Sequence, residues 1–380
     1  MNRSSSTEKR IIIAAGGSGG HIFPALAVWG AISRNHPEYK LTWVGSSHKM
    51  ESSLIPSRGI QFIGLRQTEL RRKPTLSNFL YNIRTLWFLV SSVFHSIGIL
   101  RKLKPKFVLS TGGFAAGAIG IAAEMTRVPL IIVEPNAYPG MTNRYLGRKA
   151  SAVFIAYDET KRHFPPEKTH MVGIPARREV VEKDRLQARM ELGLDNDTLF
   201  ILAMGGSQGA AGINRILPDA VSLLTNERPD LNFKILHQCG REKSGNLKIN
   251  EKLTKDEKYE VAEFIDDIPL YLAAADIVVS RAGASTLTEI ASRGLPAILI
   301  PYPHSAENHQ VKNAKSWENG KAAICIEEKN LSPETLMRSL LILIKDPSKR
   351  AEMGKSAMKF GNPLAGEKIA DIIQSLIEDQ

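Results

Sequence analysis

Two widely separated stretches of this chain take the same steps. Residues 11–15 form an unbroken apolar run that ends in Gly16-Gly17-Ser18-Gly19-Gly20-His21, and residues 199–204 form another that ends in Gly205-Gly206-Ser207-Gln208-Gly209-Ala210. A short apolar run closed by glycine reads as a strand buried on both faces, as in parallel sheets. Glycine lets the backbone turn tightly and approach a ligand closely. An apolar helix follows the first loop from about residue 23 to 33, with Pro24 tolerated in an opening turn. Each half then repeats the unit: residues 107–109 run into Ser110-Thr111-Gly112-Gly113-Phe114, and residues 277–279 into Ser280-Arg281-Ala282-Gly283-Ala284-Ser285. The fold class this pattern predicts is α/β, with two doubly wound, Rossmann-like parallel-sheet domains facing each other across a cleft and ligands at the carboxyl edges of the strands.

Length agrees with that division, since 380 residues suffice for two cores and 43% hydrophobic with 23% charged residues is ordinary for a globular protein. The expected boundaries are 1–173 for the first domain and 174–359 for the second, with Ile174-Pro175-Ala176-Arg177-Arg178 opening the second as a linker. A C-terminal helix within about 360–380 is expected to pack back on the first domain. Cys239 and Cys325 are the only cysteines, which excludes a disulfide framework and points to a reducing cytoplasm. The apolar run 11–15 is too short for a signal-peptide core. Charge is unevenly placed: residues 1–173 hold 23 Lys and Arg against 9 Asp and Glu, while 174–380 hold 27 against 30. A basic half attracts a phosphorylated substrate, an anionic membrane surface or nucleic acid. Nucleic acid is not expected, because no zinc-finger, RNP-type or basic-zipper signature is present.

The chemistry concentrates in residues 276–314. There the strand turns through Gly283 and Ala284 into a helix that Ser285 or Thr286 would cap, and unpaired N–H groups at such a start favour an anion. Glu289 lies one turn beyond Ser285, placed to accept two hydrogen bonds from the hydroxyls of a ribose. Asn308, His309, Gln310 and Asn313 follow the next strand, a polar set suited to sugar hydroxyls. The first glycine loop is not a dinucleotide fingerprint, since position 22 is Ile, and it lacks the Lys of a P-loop. It remains suited to a diphosphate. His21 at its mouth is a candidate general base, with a structural hydrogen-bonding role as the alternative. Gly205-Gly206-Ser207-Gln208-Gly209 also matches a nucleophile elbow, but a hydrolase would leave the first loop and Glu289 without a use. Asp195-Asn196-Asp197 has a metal-like spacing at the wrong edge of the sheet, so no metal ligands are expected.

Residues 66–106 form a further block. Leu76, Phe79, Leu80, Ile83, Trp87, Val90, Phe94, Ile97 and Leu100 keep a three-four spacing, and Phe88 and Leu89 widen the apolar face. Arg66, Arg71, Arg72 and Lys73 precede it, and Arg101, Lys102, Lys104 and Lys106 follow. The uncharged part, residues 85–100, is short for a membrane span. Interfacial docking through Phe79, Leu80, Ile83 and Trp87 is expected. A core helix with solvated flanks is the alternative.

Taken together, GGSGGH at 16–21, TGGF at 111–114, EPN at 134–136, GGSQGA at 205–210, HQCG at 237–240, FIDDI at 264–268 and the 276–314 stretch resemble the GT-B glycosyltransferases of family 28. The resemblance runs from about residue 10 to 370. It implies inverting transfer of N-acetylglucosamine from UDP-N-acetylglucosamine to the 4-hydroxyl of undecaprenyl-diphosphate-linked muramoyl-pentapeptide (lipid I), giving lipid II for the cell wall, and so for cell shape and division. By motif, the donor would meet Ser18, Gly19, Gly20, Asn136, Arg177, Ser207, Gln208, Ile265 through its backbone, Gly283, Ala284, Ser285, Glu289, His309 and Gln310. Gly16, Gly17, Ser18, Gly19 and Gly20, with Gly112 and Gly113, would hold the acceptor diphosphate. His21 is poised as base, with Glu134 as rival. No cofactor is implied, and stimulation by a divalent cation is left open. The implied place is the cytoplasmic face of the inner membrane, held peripherally, with other cell-wall enzymes as candidate partners. The chain departs from the family in having Ser18 for Thr, Val133 and Pro135 where His and Gln flank the Glu, and Ile174 for Asn. The rival activities are a UDP-N-acetylglucosamine 2-epimerase, which needs no lipid acceptor and so leaves the 66–106 block unused, and a non-catalytic binding protein.

Overall fold

All five residues from Ile11 to Ala15 in β1 (Lys9–Ala15) are completely buried, as a strand covered on both faces must be. The computed structural model describes residues 9–17, 19–66, 75–206, 209–240 and 257–378, without the side chains of Leu76 and Phe79. Contacts divide the chain into two units, Met1–Pro175 with Leu364–Gln380, and Ala176–Pro363.

The first unit is built on a seven-stranded, all-parallel sheet in the order β3-β2-β1-β4-β5-β6-β7. Besides β1, its strands are β2 (Tyr39–Ser46), β3 (Gln61–Leu65), β4 (Val108–Gly112), β5 (Leu130–Glu134), β6 (Ala152–Ile155) and β7 (Thr169–Met171). Its helices are α1 (Gly19–Asn35), α2 (Glu51–Ser57), α3 (Leu76–Leu103), α4 (Phe114–Thr126) and α5 (Met141–Gly147). Strand order reverses between β1 and β4, and there the ladder slips at Ala14 and Ala15 so that Gly112 pairs with Ala15. The slip brings the second glycine turn beside the first at the switch point, where doubly wound sheets bind ligands.

The second unit carries a six-stranded parallel sheet in the order β10-β9-β8-β11-β12-β13. Its strands are β8 (Leu199–Met204), β9 (Phe233–Gln238), β10 (Tyr259–Ala262), β11 (Ile277–Ser280), β12 (Ala297–Leu299) and β13 (Ala323–Cys325). Among the described residues its helices are α6 (Arg178–Glu182), α7 (Arg185–Glu191), α8 (Ala211–Glu227), α9 (Ile268–Ala274), α10 (Ala284–Ser292), α11 (His309–Asn319), α12 (Pro333–Lys345) and α13 (Pro347–Ala357). Leu217, Val221 and Leu224 of α8 and Leu336, Leu340 and Leu343 of α12 fill its core against the sheet. Here the order reverses between β8 and β11, again the two strands that feed glycine turns. The final helix, α14 (Ala365–Glu378), packs on α1 in the first unit, with Arg34 bonded to Glu367 at 2.9 Å.

Several elements differ from their sequence expectation. β2, β3 and β13 carry no strong run of their own. α1 begins at Gly19, so Pro24 lies inside it rather than in a first turn, and its missing N–H forfeits the bond to the carbonyl of Gly20. α10 begins at Ala284 with Gly283 in the N-cap position and no side-chain cap, which places Ser285 and Thr286 within its first turn instead.

Candidate active site

At the first switch point, His21 stands in the opening turn of α1 with its ring over Gly112, whose absent Cβ would lie 3.0 Å from Cε1. Its Nδ1 donates to the carbonyl of Thr111 at 2.8 Å, and the Thr111 hydroxyl donates to the carbonyl of His21 at 2.8 Å. A carbonyl can only accept, so Nδ1 carries the proton and Nε2 holds the basic lone pair of the neutral ring. A Cβ on Gly113 would sit 2.5 Å from the carbonyl oxygen of Gly16, so only glycine lets the two turns touch. Helices α1 and α4 both start there, each presenting the positive end of its dipole. Gly17 does not contribute its N–H outward as expected. That group lies 3.2 Å from both carboxylate oxygens of the buried Glu51.

Glu134 ends β5 and is 1% exposed. Its Oε1 accepts from the N–H and the Nδ2 of Asn136 at 2.9 and 3.0 Å, and its Oε2 from Asn143 Nδ2 and Gly140 N at 2.9 and 3.2 Å. Burial pushes its pKa up to about 7, against the pull of these four donors. With both oxygens bonded, Glu134 braces the loop between β5 and α5. The same Asn143 amide also donates to the Thr111 carbonyl at 3.4 Å, so Glu134, Asn143, Thr111 and His21 form one chain of hydrogen bonds. Asn136, expected at the donor, has its amide nitrogen committed to Glu134.

In the second unit, Glu289 lies on α10, largely buried, and accepts from Arg177 Nε at 2.6 Å. Among the described residues, nothing lies within 4 Å of where a Cβ would stand on Gly283 or on Gly206. The second glycine loop is held from below. Gln238 Nε2 donates to the carbonyl of Gly206 at 3.1 Å, while Asn214 Nδ2 donates to the carbonyl of Cys239 at 2.8 Å, against which Gly209 packs. Buried His237 links this support to Tyr259 at 2.7 Å and Asn214 at 3.1 Å, and burial holds its pKa down to about 4. Gln310 Oε1 accepts from Tyr302 N at 3.0 Å, His309 Nδ1 donates to the Ala306 carbonyl at 2.7 Å, and Asn313 Nδ2 is turned inward to the Ala282 carbonyl at 3.1 Å. Ile265 is buried in the loop between β10 and α9.

The N-terminal domain model of glycosyltransferase family 28 matches residues 11–155, and the C-terminal domain model of the same family matches residues 200–376. The chain belongs to glycosyltransferase family 28. One family 28 relative, the UDP-N-acetylglucosamine–N-acetylmuramyl-(pentapeptide) pyrophosphoryl-undecaprenol N-acetylglucosamine transferase of Shewanella halifaxensis, is 37% identical over 377 residues, covering 98% of each chain. The crystal structure of MurG from Acinetobacter baumannii superposes with a TM-score of 0.77 at 28% identity, covering 97% of this chain and 99% of that one. A UDP-GlcNAc 2-epimerase from Neisseria meningitidis, at TM-score 0.67 and 14% identity over 96% and 100% of the two chains, shares the fold alone.

Within this family 28 chain, the structure gathers His21, Gly16, Gly17, Gly19, Gly20, Gly112 and Gly113 at one switch point. It gathers Gly206, Gly209, Gly283, Ala284 and Ser285 at the turns of the other. Ser18, Ser207, Gln208, Arg71, Arg72, Lys73 and the side chain of Phe79 lie outside the described residues. Glu51, Asn143 and Asn214 escape sequence reasoning, and His237 enters it only within HQCG, with no role of its own. Each is a polar residue on an otherwise ordinary stretch whose burial depends on distant partners.

Helix α3 is one continuous helix, and Leu80–Leu103 is long and apolar enough to cross a membrane, a longer element than the uncharged stretch 85–100 implies. Only 28% of its most apolar window is buried. Thr85, Ser92, Ser96, Ile99 and Leu100 face the core, whereas Leu80, Ile83, Leu86, Trp87, Val90 and Phe94 face outward, Trp87 being 70% exposed. Ile97 packs against the core from a partly buried position. The stripe recognised by its spacing is therefore mostly the outer face, not a core seam.

Proposed function

We propose that this protein transfers N-acetylglucosamine, with inversion, from UDP-N-acetylglucosamine to the 4-hydroxyl of the muramoyl sugar of lipid I, giving lipid II and UDP. The observation that carries the assignment is the likeness to the Shewanella transferase over 98% of each chain. The acceptor diphosphate meets the N–H groups that open α1 and α4 in the first unit. His21 Nε2 takes the proton of the acceptor hydroxyl as its oxygen bonds to the anomeric carbon, and the bond from that carbon to UDP breaks on the opposite face. Charge developing on the departing UDP is met by the N–H groups around Gly206 and at the start of α10. Glu289 serves the ribose, Ile265 the uracil through its backbone, and Gln310 offers its Nε2 to the sugar. Transfer by this route assigns no side chain to a metal.

The outer face of α3 docks the enzyme on the membrane that carries its lipid substrate. Its apolar stripe is flanked by Arg84, Arg101, Lys102 and Lys104, and the first 173 residues carry the basic excess of the chain. A helix with an apolar face and basic neighbours lies in the interface of an anionic bilayer. On this reading the protein works peripherally at the cytoplasmic face of the inner membrane, near the other cell-wall enzymes that supply and use these lipids.

The test is transfer of radiolabel from UDP-N-acetylglucosamine to a short-chain lipid I analogue, with EDTA in one arm and the diphosphate-free muramoyl-pentapeptide as control. Product from the diphosphate-bearing acceptor alone, undiminished by EDTA, is expected. Labelled sugar found on neither acceptor would overturn the assignment.

A further inference from the structure

A carboxylate that no step of the transfer uses lies beneath the first glycine loop. Glu51, the first residue of α2, is 0% exposed. Its Oε1 accepts from Ser46 N at 2.8 Å, and Gly17 N donates to both of its oxygens at 3.2 Å. The groups that hold it among the described residues are backbone N–H groups rather than a cation. Burying a carboxylate is unfavourable unless such donors replace water. Two glycines make room for it: a Cβ would stand 2.2 Å from Oε1 on Gly16, and 2.6 Å from Cγ on Gly45. On its far side Gly16 carries the contact onward, since its carbonyl is the group on which Gly113 closes. Carboxylate, Gly16 and Gly113 are therefore stacked in direct succession.

We infer that Glu51 is a positioning residue of the acceptor site, setting the separation of the two glycine turns and turning the Gly17 N–H inward. The Gly17 N–H is then not among the groups offered to a diphosphate. The inference rests on the acceptor reading of these turns. A merely structural carboxylate would affect stability and the active fraction, which lowers kcat but leaves both KM values alone.

The test is steady-state kinetics of the full-length Glu51→Gln enzyme with a lipid I analogue and UDP-N-acetylglucosamine, each varied. Glutamine keeps one oxygen for Ser46 but sets an amide donor against the Gly17 N–H. The expected result is an acceptor KM raised about ten-fold or more, with the donor KM within about two-fold of wild type. Unchanged KM for both substrates in folded enzyme overturns the inference while the acceptor reading stands. A raised donor KM with an unchanged acceptor KM overturns the acceptor reading itself. Should Glu51→Gln not fold, Gly45→Ala crowds Glu51 from β2 without touching the loop. The same split in KM is expected of it, and wild-type KM values would overturn the inference.

Discussion

His21 and Asn143 meet at a single atom. The carbonyl oxygen of Thr111 accepts from His21 Nδ1 at 2.8 Å and from Asn143 Nδ2 at 3.4 Å, and Asn143 passes the chain on to Glu134 at 2.9 Å. The ring is thereby fixed in one tautomer, with Nε2 as its basic nitrogen. His21→Ala is expected to lower kcat by roughly 10²–10⁴-fold, the usual scale for loss of a positioned base. The donor Kd, measured by calorimetry, should stay near wild type. A wild-type kcat would remove His21 from the proton transfer.

Asn143 touches no reacting atom in this scheme, yet it joins the base to the braced loop. Removing its amide leaves buried Glu134 Oε2 short of a donor, a cost of about 1–3 kcal/mol. Asn143→Ala is therefore expected to lose stability and roughly ten-fold in kcat, with a changed pH profile, because the Thr111 carbonyl that orients His21 is no longer held. A loss of stability alone, with kcat and its pH profile intact per folded molecule, would confine Asn143 to the scaffold.

Glu134 titrates in the native state at about 7, above its ordinary 4.5, because burial disfavours the charge. The native state therefore binds the proton more tightly than the unfolded chain. Its contribution to stability is complete below about 4.5 and is lost as pH rises through about 7, by at most ~3 kcal/mol. Urea unfolding of wild type and Glu134→Gln should show a deficit for the variant at pH 5 that shrinks by pH 8. A deficit equal at both values would mean the native pKa is not raised.

Arg177 holds Glu289 at 2.6 Å with both side chains mostly buried. Glu289→Ala removes the proposed ribose acceptor together with the carboxylate that Arg177 grips, while Arg177→Ala takes the bonded guanidinium away from a buried carboxylate. Both are expected to weaken UDP binding about ten-fold or more by calorimetry. Because the two act as a pair, the double variant should bind no worse than about the weaker single one. Independent, multiplying losses would show that each contacts the nucleotide separately.

How legible these features are in sequence follows from their physics. An apolar β-branched run closed by glycine has few uses other than a buried strand and a ligand-facing turn, so all four turns can be placed. β2 reads YKLTWVGS, in which only Lys40 is exposed, so its burial on both faces is masked by polar residues that the sheet satisfies. Glu51 looks like a surface residue of a short helix, because the glycines that admit it lie on other strands. In α3 the three-four spacing reveals a stripe but not its direction. Thr85, Ser92 and Ser96, polar in sequence, face the core together with Ile99 and Leu100.

That reversed face gives the last prediction. Trp87 and Phe94 are 70% and 67% exposed on one side of α3, and neither packs against the core of its unit. A charge at both positions should therefore leave folding intact while opposing insertion of the helix into the headgroup region. In co-sedimentation with vesicles containing anionic lipid, the Trp87→Glu/Phe94→Glu protein is expected to bind at least about ten-fold more weakly than wild type. Its kcat on a short-chain, water-soluble lipid I analogue should match wild type, and its activity on vesicle-embedded acceptor should fall with the binding. Undiminished sedimentation with vesicles would move the membrane contact away from α3.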